Sequence, residues 1–148
     1  MTSDPPSGAL PSVDLPLAGG CHCGALRYEV TAAPLDSGYC HCRICQRLSG
    51  APAMVWASVR LGAFRYTKGR PRIYRSSDWG RREFCGDCGS QLAFRTAGPS
   101  ATLDINLPTL DVPERLAPRR HTWVTSRLSW FRTADDLPEH PDDGPLSL

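Results

Sequence analysis

This 148-residue sequence has no long apolar run, no recognisable export signal and only one lysine. No stretch approaches the roughly 20 apolar residues that span a bilayer, so a membrane protein is not expected. Residues 1–18 have neither a basic region nor a sustained apolar segment, which argues against a secretory signal peptide. We therefore expect a cytoplasmic protein, in a compartment that keeps thiols reduced.

Long helices are not expected either, because 14 prolines and 13 glycines interrupt most segments. Short runs that alternate apolar and polar residues predict half-buried strands. These runs are 25–30, 53–59, 63–67, 72–75, 91–95, 102–107 and 121–127. The pattern at 42–48 predicts a helix, which Gly50 and Pro52 would end. The sequence thus predicts a mainly β, mostly antiparallel fold with one short helix.

The length suits a single domain, which we place at residues 19–137. Residues 1–18 contain four prolines and few apolar side chains, and we expect them to form a disordered leader. Residues 138–148 combine prolines with acids and are predicted to be a flexible acidic tail. Few large apolar residues remain for a core, so we expect bound metal to contribute to stability.

The basic residues are concentrated in the middle of the chain, although the net charge is only +2. Ten of them lie between residues 43 and 82, where the only acid is Asp78: Arg43, Arg47, Arg60, Arg65, Lys68, Arg70, Arg72, Arg75, Arg81 and Arg82. Guanidinium groups suit carboxylates and phosphates, which favours an anionic ligand, although arginines facing solvent from strands fit the pattern as well. No recognition helix or aromatic sheet motif accompanies them, so nucleic acid is not the expected partner.

The seven cysteines occur in three short clusters, CHC at 21–23, CHCRIC at 40–45 and CGDC at 85–88. Such spacings bring thiolates together around a metal ion. A disulfide framework is disfavoured, because C-x-C pairs cannot bridge without strain and one thiol would remain unpaired. The cysteines therefore predict metal binding.

A structural zinc takes four ligands, so seven thiols complete one site and leave three over. The pair in CGDC needs two more ligands, which either the first cluster or part of the second must supply. If the first cluster supplies them, the second cluster is left to hold a zinc with an open fourth position, which is typical of catalytic sites. The two sets are then Cys21, Cys23, Cys85 and Cys88, and Cys40, Cys42 and Cys45. Alternatively, a histidine closes the second site and both zincs are structural. The candidates for that role are His22, His41 and His121.

Three segments together resemble the glutathione-dependent formaldehyde-activating (GFA, CENP-V-type) family: GCHCGALRY at 20–28, CHCRICQRLSG at 40–50 and REFCGDCGSQL at 82–92. The resemblance covers roughly residues 19–137. It implies a β-tent-like fold of several small coiled antiparallel sheets stapled by zinc. It also implies a structural zinc at Cys21, Cys23, Cys85 and Cys88. A second zinc is implied at Cys40, Cys42 and Cys45.

The activity that the resemblance implies is the addition of glutathione to formaldehyde, a carbon–sulfur lyase type of reaction. The expected partners are a small-molecule thiol and an aldehyde, with the thiol activated at the three-cysteine zinc. Arginines of residues 43–82 are candidates for holding the carboxylates of glutathione. His121 is a candidate general acid or base, although a structural hydrogen bond is the simpler role.

Two other functions fit parts of the sequence. A zinc-stapled binding module for a protein or nucleic-acid partner would explain the basic segment, but such a module has no need of a three-ligand site. A methionine sulfoxide reductase of the B type also carries paired zinc-binding cysteines. No cysteine follows Cys88 here, and Thr122 stands where a late redox thiol would be expected.

Overall fold

The computed structural model describes residues 13–145. Within them lie ten strands, one α-helix and four short 3-10 turns. The helix α1 spans Arg43–Ser49. The strands are β1 (Leu17–Gly20), β2 (Arg27–Val30), β3 (Asp36–Cys40), β4 (Met54–Arg60), β5 (Phe64–Lys68), β6 (Arg72–Arg75), β7 (Gly80–Phe84), β8 (Gln91–Thr96), β9 (Thr102–Asn106) and β10 (His121–Thr122).

The strands form a three-stranded sheet in the order β1-β2-β5 and a seven-stranded sheet in the order β10-β3-β4-β9-β8-β7-β6. All pairs are antiparallel except β10, which runs parallel to β3. Side chains from β2 in the small sheet pack with those from β4 and β9 in the large sheet to form the main core. The mainly β architecture and the single helix that the sequence predicts are confirmed.

The two faces of the large sheet differ in character because side chains alternate along each strand. One face carries Ala57, Val59, Ala93, Leu103 and Ile105 into the core. On the other face, β-pairing sets Arg82 opposite Phe94, Phe94 opposite Asp104, and Asp104 opposite Ser58. This second face is polar and aromatic, and it forms the wall of the pocket described below.

Most strand predictions agree with the structure, and the disagreements have local causes. The predicted strand 121–127 is wrong beyond Thr122, because Trp123 adopts the left-handed conformation (φ 57°) and Val124–Ser126 form a 3-10 turn. The sequence did not predict β1, β3 and β7. β3 and β7 bury charged residues such as Asp36 and Arg82, which hides the alternation expected of a half-buried strand.

Ordered structure extends beyond the predicted boundaries at residues 19 and 137. β1 begins at Leu17, which is buried in the core. At the other end, Glu139 bridges to His121, and the Trp123 N–H donates to the Asp142 carbonyl at 3.1 Å. Backbone hydrogen bonds order both segments. The prolines and acidic residues that led us to expect disorder there do not prevent this pairing. Residues 1–12 and 146–148 of the predicted leader and tail lie outside the described residues.

The helix α1 begins and ends as predicted, to within a residue. The Cys42 Sγ accepts a hydrogen bond from the Cys45 N–H at 3.3 Å and caps its first turn. Gly50 adopts the left-handed conformation (φ 65°) that ends it. At seven residues, α1 is the longest helix in the described part of the chain, and none there is long and apolar enough to cross a membrane.

Candidate metal centres and substrate pocket

Four thiols from distant parts of the sequence meet in one cluster, here called the four-cysteine cluster: Cys21, Cys23, Cys85 and Cys88. All four sulfurs lie within 4.8 Å of one another. The Sγ atom of Cys23 is 3.6 Å from that of Cys21 and 3.7 Å from that of Cys85. Zinc–sulfur bonds of about 2.3 Å in a tetrahedron place the sulfurs about 3.8 Å apart. These distances fit a zinc site, and all the cysteines are free thiols.

Two tight turns that end in glycine orient these four thiols toward one another. Gly24 (φ 81°) donates its N–H to the Cys21 carbonyl, and Gly89 (φ 80°) donates to the Cys85 carbonyl. The Leu26 N–H donates to the Cys21 sulfur at 3.2 Å. Hydrogen bonds from Ser90 lower the pKa of Cys88 to about 5. The turns thus supply backbone and side-chain donors to the sulfurs, as metal-binding thiolates require.

The remaining thiols, Cys40, Cys42 and Cys45, form the three-cysteine cluster, whose sulfurs also lie within 4.8 Å of one another. Cys40 ends β3, Cys42 caps α1 and Cys45 lies in its first turn. Hydrogen bonds with the Cys40 and Cys45 thiols lower the pKa of Cys42 to about 2. Among the described residues, no histidine or carboxylate joins this group. Three soft donors with an open fourth side fit zinc as well.

Arg82 of β7 contacts the three-cysteine cluster from the sheet. Its side chain is buried, and both Nη atoms lie 3.7 Å from the Cys45 sulfur. The guanidinium also lies 4.5 Å above the centre of the Phe94 ring, and its Nε donates to Ser76. A zinc ion with three thiolates carries a net charge of −1. Arg82 can therefore offset the charge that such a centre would bury.

A pocket of about 290 Å³ opens over the three-cysteine cluster. Its polar wall is the face of the large sheet that carries Arg82, Ser58, Asp104 and Asn106. Aromatic and other apolar side chains also line the pocket, namely Trp56, Trp79, Phe94, Trp123 and Met54. The four-cysteine cluster does not line this pocket. The two clusters thus differ in environment, since the three-cysteine cluster lines this pocket and the four-cysteine cluster lies outside it.

The sequence model described as "Glutathione-dependent formaldehyde-activating enzyme" matches residues 16–126, a span that includes all seven cysteines. The chain belongs to this family. A Halomonas elongata protein, provisionally named a glutathione-dependent formaldehyde-activating enzyme, is 28% identical over 129 residues, covering 77% of this chain and 78% of that protein. A Rhodobacter sphaeroides protein of known crystal structure is 26% identical, with a TM-score of 0.55 over 69% of this chain and 92% of that one.

The structure brings the cysteines of this GFA-family chain together in the two sets that the sequence suggested. The basic segment at 43–82 contributes little to the pocket. Of its ten basic residues, only Arg82 lines it. Arg65 instead pairs with Glu29, and Arg75 pairs with Asp78 at the surface. A second guanidinium of the pocket comes from outside that segment. It belongs to Arg120, which pairs with Asp36 at 2.8 Å.

The histidines of this GFA-family chain do not face the pocket. His41 and His121 are fully buried, with the His41 Nε2 atom 2.8 Å from the His121 Nδ1 atom. The His121 Nε2 atom lies 3.0 Å from an Asp135 oxygen. Burial lowers the pKa of His41 to about 4. This arrangement gives His121 the structural hydrogen-bonding role rather than that of an acid or base in the pocket.

Proposed function

We propose that this protein catalyses the addition of glutathione to formaldehyde, giving S-(hydroxymethyl)glutathione, a carbon–sulfur lyase type of reaction. The observation that carries the proposal is the three-cysteine cluster, open on one side, at the wall of a pocket of about 290 Å³. The family description and the name of the Halomonas elongata relative support the two substrates. The seven free thiols suit the reducing cytoplasm, where we place the reaction.

Cys40, Cys42 and Cys45 would hold the zinc of the active site, and the four-cysteine cluster would hold a structural zinc. When bound in the active site, zinc lowers the pKa of a thiol that occupies its open position. Arg82 limits the negative charge of this centre, and aromatic side chains line the pocket beside it. The addition forms one sulfur–carbon bond, opens the carbonyl π bond and moves the thiol proton to the carbonyl oxygen. It needs no oxidant or reductant.

Cys42→Ser is the variant that tests this proposal, because serine keeps the acceptor that caps α1 while removing a thiolate. We expect the wild type to bind two zinc ions per chain, one for each cluster, and to accelerate adduct exchange in NMR spectra of glutathione with ¹³C-formaldehyde. Cys42→Ser should lose one zinc and the acceleration, with a thermal midpoint close to that of the wild type. Cys88→Ser, the matched control, should lose the other zinc and unfold at a lower temperature.

A second candidate is a zinc-stapled binding module without catalysis. It is favoured by β6, an edge strand whose four residues Arg72–Arg75 are all exposed. Ile73 and Tyr74 are 63% and 52% exposed there, which suits a contact surface. A wild type that binds one zinc, or that does not accelerate adduct exchange, would contradict the enzymatic proposal and favour this module.

A further inference from the structure

A carboxyl group that the reaction above does not use lines the same pocket as the three-cysteine cluster. It belongs to Asp104, the third residue of β9. β9 lies between β4 and β8, so Asp104 has Ser58 and Phe94 as its neighbours across the sheet. The Ser58 hydroxyl donates to Oδ1 of Asp104, and within residues 13–145 this is the only hydrogen bond to the carboxyl group. Oδ2 is therefore available to a molecule in the pocket.

The addition of a thiol to an aldehyde requires proton transfer at two atoms. The thiol loses its proton, and the carbonyl oxygen gains one as the sulfur–carbon bond forms. A group that can both accept and donate a proton in the pocket would serve both transfers. Carboxyl groups and imidazoles have this property, whereas guanidinium groups stay charged in proteins.

The other titratable groups of the pocket do not fit this role. The three cysteines are the candidate metal ligands. Arg82 and Arg120 remain cationic. Asp143 is exposed and accepts a hydrogen bond from Trp123 Nε1 at 2.6 Å. Asp104 is left as the carboxyl group on the inner wall of the pocket.

The surroundings of Asp104 favour a proton on its carboxyl group. Burial raises the pKa of Asp104, and the negative charges of Asp36 and Asp143 act in the same direction. The Ser58 hydrogen bond and the positive charge of Arg82 oppose these effects. Asp36 contributes little net charge, because Arg120 pairs with it at 2.8 Å. The pKa of this carboxyl group is therefore raised above that of an exposed aspartate, which makes its carboxylate a better proton acceptor while it can still donate the proton again.

We propose that Asp104 is the general acid–base residue of this pocket. Its carboxylate accepts the proton of the entering thiol, and its carboxyl group then donates that proton to the aldehyde oxygen as the sulfur–carbon bond forms. The cycle leaves Asp104 unchanged, and one thiol and one aldehyde become one hemithioacetal. This role rests on the proposed function, since it requires thiol addition to take place in this pocket.

Asp104→Asn tests the role, because asparagine keeps the shape and can still accept from Ser58 but cannot exchange a proton. We expect the catalysed rate of adduct exchange to fall about 100-fold or more, which is the usual contribution of a general acid or base. The zinc content should stay at the wild-type value. In an infrared pH titration of the wild type, one carboxyl group should take up its proton at a higher pH than the exposed carboxyl groups, and the carbonyl band of this group should be absent in Asp104→Asn.

Glu83→Gln is the matched control. Glu83 is buried one strand beyond β8, but it bonds to Tyr66 and Arg95 outside the pocket. This variant should keep the pH profile of the reaction and the infrared band, even where its stability falls.

A further variant keeps the proposal testable where Asp104→Asn does not fold. Ser58→Ala removes the hydrogen bond that lowers the pKa of Asp104, so the pH midpoint that depends on this group should move to a higher value. An active wild type with an unchanged rate in Asp104→Asn, or with an unchanged midpoint in Ser58→Ala, would overturn the role of Asp104 and leave the function standing. A wild type that does not accelerate adduct exchange would overturn the function itself.

Discussion

Substitution of Arg82 by methionine would remove a buried positive charge that contacts the three-cysteine cluster. The guanidinium lies 3.7 Å from the Cys45 sulfur. At this distance, with an effective dielectric constant of about 20, the attraction between two unit charges is about 4.5 kcal/mol. One decade in an equilibrium constant corresponds to about 1.4 kcal/mol. The upper limit for the loss of zinc affinity at this cluster is therefore about three decades.

The observed loss should fall between about tenfold and about 1,000-fold, because removal of the guanidinium also removes the cost of burying it. Methionine is flexible and apolar, so it can pack against Met54 and Phe94, which already contact Arg82. The assay is competition with a chromophoric chelator, with the four-cysteine cluster as an internal reference. Arg81→Met is the control, because Arg81 precedes Arg82 on β7 and bonds to the Ser77 and Gly80 carbonyls, away from the pocket. Equal affinities in the wild type and Arg82→Met would refute this reasoning.

Three further predictions concern Gly38, His41 and the four-cysteine cluster. Gly38→Ala should lower the free energy of unfolding by about 1–3 kcal/mol in denaturant titrations, because its Cβ would lie 2.8 Å from both the Arg120 carbonyl and the Trp56 ring. Stability should fall as the pH drops from about 6.5 to about 4, because the unfolded chain protonates His41 in that range and the folded chain does not; the slope should be smaller in His41→Gln. Strong chelators should lower the thermal midpoint of the wild type more than that of Cys88→Ser, which already lacks one ligand of the four-cysteine cluster.

The three short cysteine clusters could be predicted because their information is local, whereas the pairing of the first cluster with the third was implied by the family resemblance. A short spacing places two or three sulfurs together whatever the rest of the chain does, and the ligand number of zinc limits how the sets combine. The helix between Cys42 and Gly50 was predictable for the same reason, since both of its ends are defined by neighbouring residues. Strands with regular alternation, such as β2 and β9, were also predictable.

The pocket could not be predicted, because its wall depends on which strands pair. Asp104 alternates with Leu103 and Ile105, so the sequence places it on a polar face but does not show whether anything covers that face. Pairing of β9 with β4 and β8 sets it beside Ser58 and Phe94. Arg82 was counted among ten similar basic residues, and only the order of the sheet sets it apart from them. A shift of one residue in strand register would have moved Asp104 and Arg82 to the opposite face of the sheet, away from the pocket.

The four-cysteine cluster also has a consequence for folding. It joins the segment before β2 to the loop after β7, and Cys23 and Cys85 are 62 residues apart in sequence. A metal ion there would close a chain loop of this length, and the entropy that such a cross-link removes from the unfolded chain amounts to about 4 kcal/mol. The three-cysteine cluster and Arg82 both lie within this loop. Metal scarcity would therefore expose the whole chain to proteolysis, and in a cell the first sign of it would be a lower abundance of the protein.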